Sequence, residues 1–291
     1  MNYTVVDNIR FFDTPSACIS SFERLSRWQK VASFVRSCVK AFFSALPRIF
    51  KFLNKPTPSE IRKCSHIPTL SSTKKKLIVC LHGLNGSTSQ FSPIVNAMNH
   101  YDLSTTQIYI PPILKKGHAT IDEMIQPIFK EMKNWLLGGA EKEVVLVGIS
   151  NGARLASAIN VELLKSETTK NALKKVHVIS IAGAAQGSSL INVARKMHLC
   201  WLFSKPIAQE MPTDSARTQQ LTQGLQNLPT SGIPHQYTFL ASPHDWTVPN
   251  YSSTLMSMPQ GVSTKYALIE GQDHCSITRT QAKAISQLAC S

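Results

Sequence analysis

From residue 77 onward the chain alternates short apolar runs with longer segments of helical periodicity. The runs "LIVCLHG" at 77–83, "QIYIPP" at 107–112, "EVVLVGIS" at 143–150, "KVHVISIAG" at 175–183, "QYTFLAS" at 236–242 and "TKYALIEG" at 264–271 are mostly unbroken by charge. Short apolar runs of that length predict strands with both faces buried. Between them lie amphipathic stretches such as "TIDEMIQPIFKEMKNWLL" at 120–137, which predict helices. Repetition of strand and helix predicts an α/β domain over 77–291, with a mostly parallel central sheet flanked by helices. The interval 184–235 breaks the rhythm, with the amphipathic piece "SLINVARKMHLCWLF" followed by the polar stretch "TDSARTQQLTQGLQ". An irregular interval that long predicts an inserted cap, or lid, over the carboxyl edge of the sheet.

Residues 1–76 follow another pattern and are expected to form a basic N-terminal extension. Over 21–53, Trp28, Val31, Val35, Val39, Phe42, Leu46, Ile49, Phe50 and Leu53 fall in one sector at about 100° per residue, with Arg36, Lys40, Arg48 and Lys51 outside it. Phe34 and Phe52 fall off the stripe and Arg24 falls on it. This predicts a basic amphipathic helix interrupted at Pro47. Its stripe suits packing on the domain, docking on an anionic membrane surface, or the groove of a partner protein, and the pattern does not choose among them. Residues 54–76, rich in Pro, Ser, Thr and Lys, read as a linker.

Charge sharpens that division. The net charge is +14, and residues 1–76 hold 14 of the 31 Lys and Arg but only 4 of the 17 Asp and Glu, which leaves +4 for the other 215 residues. The basic residues lie mostly opposite an apolar stripe, without an aromatic-interleaved basic face, so nucleic acid is not an expected partner. A 43% hydrophobic and 16% charged composition excludes disorder over most of the chain. The seven cysteines, at 18, 38, 64, 80, 200, 275 and 290, form no C-x-x-C pair and no metal-type spacing with histidine. Free thiols in a reducing compartment and no bound metal are therefore expected. The opening "MNYTVVDNIRFFDTPSAC" lacks a charged region followed by an apolar core, and no run of 18 apolar residues occurs. Neither a cleaved signal nor a spanning helix is expected; the expected address is cytoplasmic, with peripheral membrane association through residues 21–53.

The chemistry concentrates in "VVLVGISNGARLAS" at 144–157, where a strand-like run enters Gly148-x-Ser150-x-Gly152 and then a helical pattern. A sharp turn from strand to helix needs small neighbours on both sides of the serine, which Gly148 and Gly152 supply. The serine then sits at a helix N-terminus, where free N–H groups stabilise negative charge. A serine hydroxyl needs a base, and "LIEGQDHCSITRT" puts His274 after the last strand. The imidazole needs an orienting carboxylate, and "TFLASPHDWTVP" puts Asp245 after the preceding strand. Asp273, adjacent to His274, and Asp214, in the cap interval, are the weaker rivals. "CLHGLNGSTSQF" supplies a glycine-containing loop after the first strand of the domain. The N–H groups of Leu84 and Asn151 are the expected oxyanion donors, with His82 supporting that loop.

His82-Gly83-Leu84-Asn85-Gly86, Gly148-Ile149-Ser150-Asn151-Gly152, Asp245-Trp246-Thr247-Val248-Pro249 and Asp273-His274 together resemble the α/β-hydrolase superfamily, in its lipase and esterase branch. "IAGAAQGSS" at 181–189 is similar to the segment that opens the cap in lipases and in GPI inositol deacylases. The elbow, Gly148-Ile149-Ser150-Asn151-Gly152, departs from many lipases, which carry His or Met beside the serine. The resemblance covers 77–291 and implies the α/β-hydrolase fold and hydrolysis of a carboxylic ester through an acyl-enzyme, without a cofactor. The expected substrate is a lipid or other apolar acyl ester. Thioester hydrolysis and acyl transfer use the same three residues, and a silent hydrolase-like module that binds a membrane or protein partner is the alternative of another class.

Overall fold

The computed structural model describes residues 3–7, 9–23, 27–29, 31–32, 35, 70–139, 141–200, 203–228, 232–245 and 247–291. Among the described residues, eight strands form one sheet: β1 (Tyr3–Val6), β2 (Ile9–Phe12), β3 (Lys76–Leu81), β4 (Thr106–Tyr109), β5 (Lys142–Ile149), β6 (Leu173–Ile181), β7 (His235–Ala241) and β8 (Ser263–Leu268). Their order is β1-β2-β8-β7-β6-β5-β3-β4, and β3 to β8 are parallel. The principal helices are α1 (Pro15–Glu23), α2 (Ser92–Met98), α3 (Ile121–Leu137), α4 (Asn151–Lys165), α5 (Ser189–Lys196), α6 (Lys205–Glu210), α7 (Ala216–Gln226) and α8 (Ala282–Cys290). All six expected strands are present, each within one to three residues of its predicted bounds. The 120–137 helix forms with Thr120 as its cap, in a reciprocal capping box with Glu123.

The strands read as continuously apolar because each serves two cores. Leu77, Val79, Leu81, Val144 and Leu146 face one layer, with residues of α3, α4 and α7. Ile78, Cys80, Val145, Val147 and Ile149 face the other, with residues of α2 and α8. That alternation is the period-two geometry of a strand buried on both sides.

From β3 the chain runs outward to β4, then returns past β3 to β5 and proceeds through β6 and β7 to β8, which the N-terminal strand β2 flanks. The direction of winding therefore reverses between β3 and β5. Open parallel sheets bind ligands in the crevice beyond the carboxyl ends at such a switch point. Here the switch point lies at the carboxyl ends of β3 and β5, Leu81 and Ile149.

Two expectations change. Residues 1–76 are not wholly an appendage: β1 and β2 form an antiparallel hairpin, and β2 extends the main sheet by pairing Phe12 with Tyr266 of β8. Phe11, Phe12 and Cys18 are buried in the cores, so a division at residue 76 cuts through packed side chains. Most of the 21–53 helix lies outside the described residues; of its stripe, Trp28, Val31 and Val35 are described, with 83%, 49% and 51% exposure. The expected cap over 184–235 is also narrower. Leu221 and Leu225 of α7, with Leu228, enter the main core, making α7 the crossover helix between β6 and β7. Ile191 of α5 and Ile207 of α6 instead form a separate small cluster with Met211, and Leu84 and Phe203 pack against it. No helix among the described residues is long and apolar enough to cross a membrane.

Two buried histidines give the fold an acid sensitivity. Burial pushes the His177 imidazole down to about 3, with Lys175 and Lys76 adding to the effect. Burial alone pushes His235 down to about 4. Both folded values lie below the ordinary value near 6.5, so both rings are neutral in the folded chain while the unfolded chain takes up protons. Their contribution is complete above pH ~6.5 and declines as pH falls towards the folded values, by ~1.4 kcal/mol per histidine per pH unit. Urea midpoints measured from pH 7.5 to 4.5 are expected to fall steeply below 6.5, and less steeply in His177→Gln. A flat midpoint down to pH 5 contradicts this account.

Candidate active site

Ser150 follows β5 directly and caps α4, at φ 57° and ψ −123°. A non-glycine residue in that region is strained by about 1–2 kcal/mol, and the surrounding contacts hold it there. Its N–H donates to Ile181 O at 2.9 Å, which splices the elbow into the end of β6. Gly148 and Gly152 make the turn feasible through close approach. A Cβ on Gly152 would lie 1.9 Å from Leu81 O, and one on Gly148 would lie 2.4 Å from Ala153 Cα. Strand β3 and helix α4 thus touch backbone to backbone beneath the serine.

Asp245 and His274 come from the loops after β7 and β8, which are neighbours in the sheet. His274 Nδ1 and Asp245 Oδ2 are 2.7 Å apart, with the two side chains 13% and 1% exposed. The other carboxylate oxygen of Asp245 accepts the N–H groups of Thr247 at 2.8 Å and Val248 at 2.9 Å. The carboxylate is thereby fixed in its turn with one oxygen left for the ring. Ser242 Oγ donates to Gln272 O at 2.5 Å and clips the two loops together. An ionised carboxylate only accepts hydrogen bonds, so Nδ1 carries the proton in this contact. Among the described residues, Ser150 and His274 share no hydrogen bond.

Neither rival carboxylate reaches the imidazole. Asp273 Oδ1 accepts the N–H groups of Cys275 and Ser276, both at 2.8 Å, and closes its own turn. Asp214 pairs with Arg195 at 2.5 Å.

The loop after β3 lies against the elbow. A Cβ on Gly83 would be 2.8 Å from Ser150 Cβ and 3.2 Å from Ser150 Oγ. Leu84 follows in that loop, and Asn151 occupies the first position of α4, where an N–H has no intrahelical acceptor. Neither N–H has an acceptor among the described residues. His82 is 3% exposed, and its Nδ1 lies 2.9 Å from Gly83 O. Burial lowers its pKa, consistent with a neutral ring supporting the loop. No group of His, Cys, Asp and Glu suited to a metal occurs among the described residues.

Two residues that the sequence did not single out also matter here. Arg154, one turn after Ser150, is 1% exposed; its guanidinium donates to Thr218 Oγ1 at 2.9 Å, Glu210 O at 2.6 Å and Ala184 O at 3.5 Å. A single cation in the apolar pattern "ARLASAINVELL" was the available signal. His118, beyond β4, lies between the Leu84 loop and α6, contacting Asn85 and Ser204. Nothing in its local sequence sets it apart from a surface histidine.

No protein-family model matches the chain, and no curated protein sequence is similar to it. Solved structures of low identity are similar to parts of it. Est1E from Butyrivibrio proteoclasticus is 14% identical, with 75% of this chain and 89% of that one covered and a TM-score of 0.48. Aspergillus fumigatus lipase B is 14% identical over 73% of this chain and 50% of that one, with a TM-score of 0.47. Phospholipase PlaB from Legionella pneumophila is 17% identical over 58% of this chain, with a TM-score of 0.44. The match spans only 39% of the phospholipase's length. Within the chain itself, the parallel sheet and the strained strand-to-helix elbow at Ser150 are those of the α/β-hydrolase fold.

Proposed function

We propose that the chain is a serine hydrolase that cleaves a carboxylic ester of a lipid or another apolar acyl group. The observation that carries this reading is the buried Asp245–His274 pair, 2.7 Å apart, in a chain that also holds Ser150 at a strained strand-to-helix elbow. In this mechanism Ser150 Oγ attacks the carbonyl carbon while His274 Nε2 takes its proton. The resulting oxyanion accepts hydrogen bonds from the N–H groups of Leu84 and Asn151. Collapse of the tetrahedral intermediate breaks the bond to the alcohol, which leaves with the proton from His274. Water repeats the sequence on the acyl-enzyme and restores the serine.

An apolar acyl group is supported by the cluster of Leu84, Ile191, Phe203, Ile207 and Met211, which joins α5 and α6 to the oxyanion loop. The reading is tested by turnover of p-nitrophenyl esters of increasing chain length by the wild-type protein and by Ser150→Ala. Turnover that depends on Ser150 and rises with chain length is expected. Turnover equal in the two proteins removes the reading.

Membrane contact through residues 21–53 is part of the proposal. It is supported by the exposure of Trp28, Val31 and Val35. Co-sedimentation with anionic vesicles is expected to weaken when these three are changed together to Glu, and unchanged binding removes the contact. These substitutions are preferable to deletion of 1–76, which would also remove buried Phe11, Phe12 and Cys18.

A further inference from the structure

The turn 113–118 has the least ordinary backbone beside the site. Lys115 and Lys116 are both left-handed, at φ 49° and 53°, and Asn85 of the oxyanion loop is left-handed at φ 54°. Consecutive non-glycine residues in that region persist only where surrounding contacts over-determine them. The contacts here converge on the two expected oxyanion donors. Asn85 N–H donates to Lys116 O at 2.9 Å. A Cβ on Gly117 would lie 3.3 Å from Leu84 Cα, and Gly117 O accepts from Asn151 Nδ2 at 3.4 Å. One turn thus touches both sides of the oxyanion site.

His118 fastens this turn to the segment above it. Its Nε2 lies 2.9 Å from Asn85 Oδ1, and its Nδ1 lies 3.2 Å from Ser204 Oγ at the start of α6. Ser204 Oγ is also 3.2 Å from His118 O. An amide oxygen only accepts, so Nε2 bears the proton in this contact. In the neutral ring Nδ1 is an acceptor, so the single Ser204 hydroxyl proton, which is donated to His118 O, is shared with Nδ1 in a three-centre contact. Burial lowers the His118 pKa, favouring that neutral form.

We propose that His118 is a positioning residue, a clasp that ties α6 to the oxyanion loop so that placement of the 184–215 segment sets the position of the Leu84 N–H. The proposal rests on the serine-hydrolase reading for its catalytic consequence. The geometry of the clasp itself does not. Leu84 is already packed by Ile191, Ile207 and Met211 of the same segment, so apolar contact and hydrogen bonding act on one loop from one side. An oxyanion donor contributes in the transition state more than in the bound ester, and a small displacement is costly there. Loss of the clasp therefore lowers kcat and leaves KM nearly unchanged.

The test compares wild type, His118→Ala, His118→Gln, Ser204→Ala and the His118→Ala/Ser204→Ala double variant. With the ester series, His118→Ala is expected to lower kcat about tenfold, with KM within about twofold. Ser204→Ala is expected to lower kcat less, the double variant to match His118→Ala, and Gln, which keeps a donor towards Asn85, to recover part of the loss. Unchanged kcat in folded His118→Ala, a loss carried by KM, or additive losses would overturn the clasp. If His118→Ala fails to fold, Ser204→Ala, which removes only the α6 end, carries the test. Hydrogen exchange separates the two readings. Faster exchange in both 84–86 and 203–211 in the variants is expected even if the wild type proves to lack Ser150-dependent turnover. Unchanged exchange in both segments would overturn the clasp whatever the turnover.

Discussion

Replacing Ser150 with alanine is expected to slow ester turnover by about 10⁴- to 10⁶-fold, a barrier increase of ~5–8 kcal/mol. On the proposed mechanism the attacking oxygen is gone, and what remains is the activation of a bound ester by the Leu84 and Asn151 amides. His274→Ala is expected to cost nearly as much, and the double variant little more, because nucleophile and base act as one unit. Stability separates chemistry from folding in this experiment. Alanine at φ 57° bears the same backbone strain as serine, so the urea midpoint of Ser150→Ala is expected to stay close to wild type. Glycine at the same position relieves that strain, and Ser150→Gly is expected to be equally inactive and ~1 kcal/mol more stable. A Ser150→Ala protein with a few-fold loss would place the nucleophile elsewhere.

The parallel sheet was legible because its strands are buried on both faces and therefore carry apolar runs that a local reading can find. Ser150, Asp245 and His274 each stand just beyond such a run, and parallel strands bring those ends to one edge. Features with little local pattern were harder to see. The hairpin "YTVVDNIRFF" is two four-residue strands, and its place beside β8 depends on Phe12 meeting Tyr266 across the length of the chain. Helix α7 reads as polar because Leu221 and Leu225 are the only large apolar side chains among its 11 residues, yet they lie four apart on one face and both enter the core. The partners of His118 come from loops 33 and 86 residues away. No spacing rule joins those three segments before the chain is folded.

Arg154→Lys is expected to destabilise the chain by about 3–5 kcal/mol, more than Arg154→Met. The three acceptors of the guanidinium lie on separate segments, at Ala184, Glu210 and Thr218, and a planar fork reaches them where a single ammonium does not. Arg154 makes no close ion pair among the described residues; the Glu210 carboxylate, which accepts the N–H of Ile121, supports the cation only through its charge. Burial accordingly pushes Arg154 down to about 10, which leaves it charged at neutral pH. Methionine removes both the charge and its desolvation, so its cost is the loss of the hydrogen bonds, ~1–2 kcal/mol. Lysine keeps the burial cost, with escape by losing its proton at ~4.6 kcal/mol at pH 7. That escape has a measurable sign. A buried lysine with a lowered pKa makes the unfolded chain the better proton binder, so the stability of Arg154→Lys rises as pH increases from 7 to 9. Wild type shows no rise from this position, because its guanidinium is protonated in both states over most of that range. Urea midpoints at pH 7, 8 and 9 read the difference directly. Lysine equal to arginine at pH 7, or without upward slope, would mean that water or a carboxylate reaches position 154, and that the buried cation does not hold α4 to the segment containing α6.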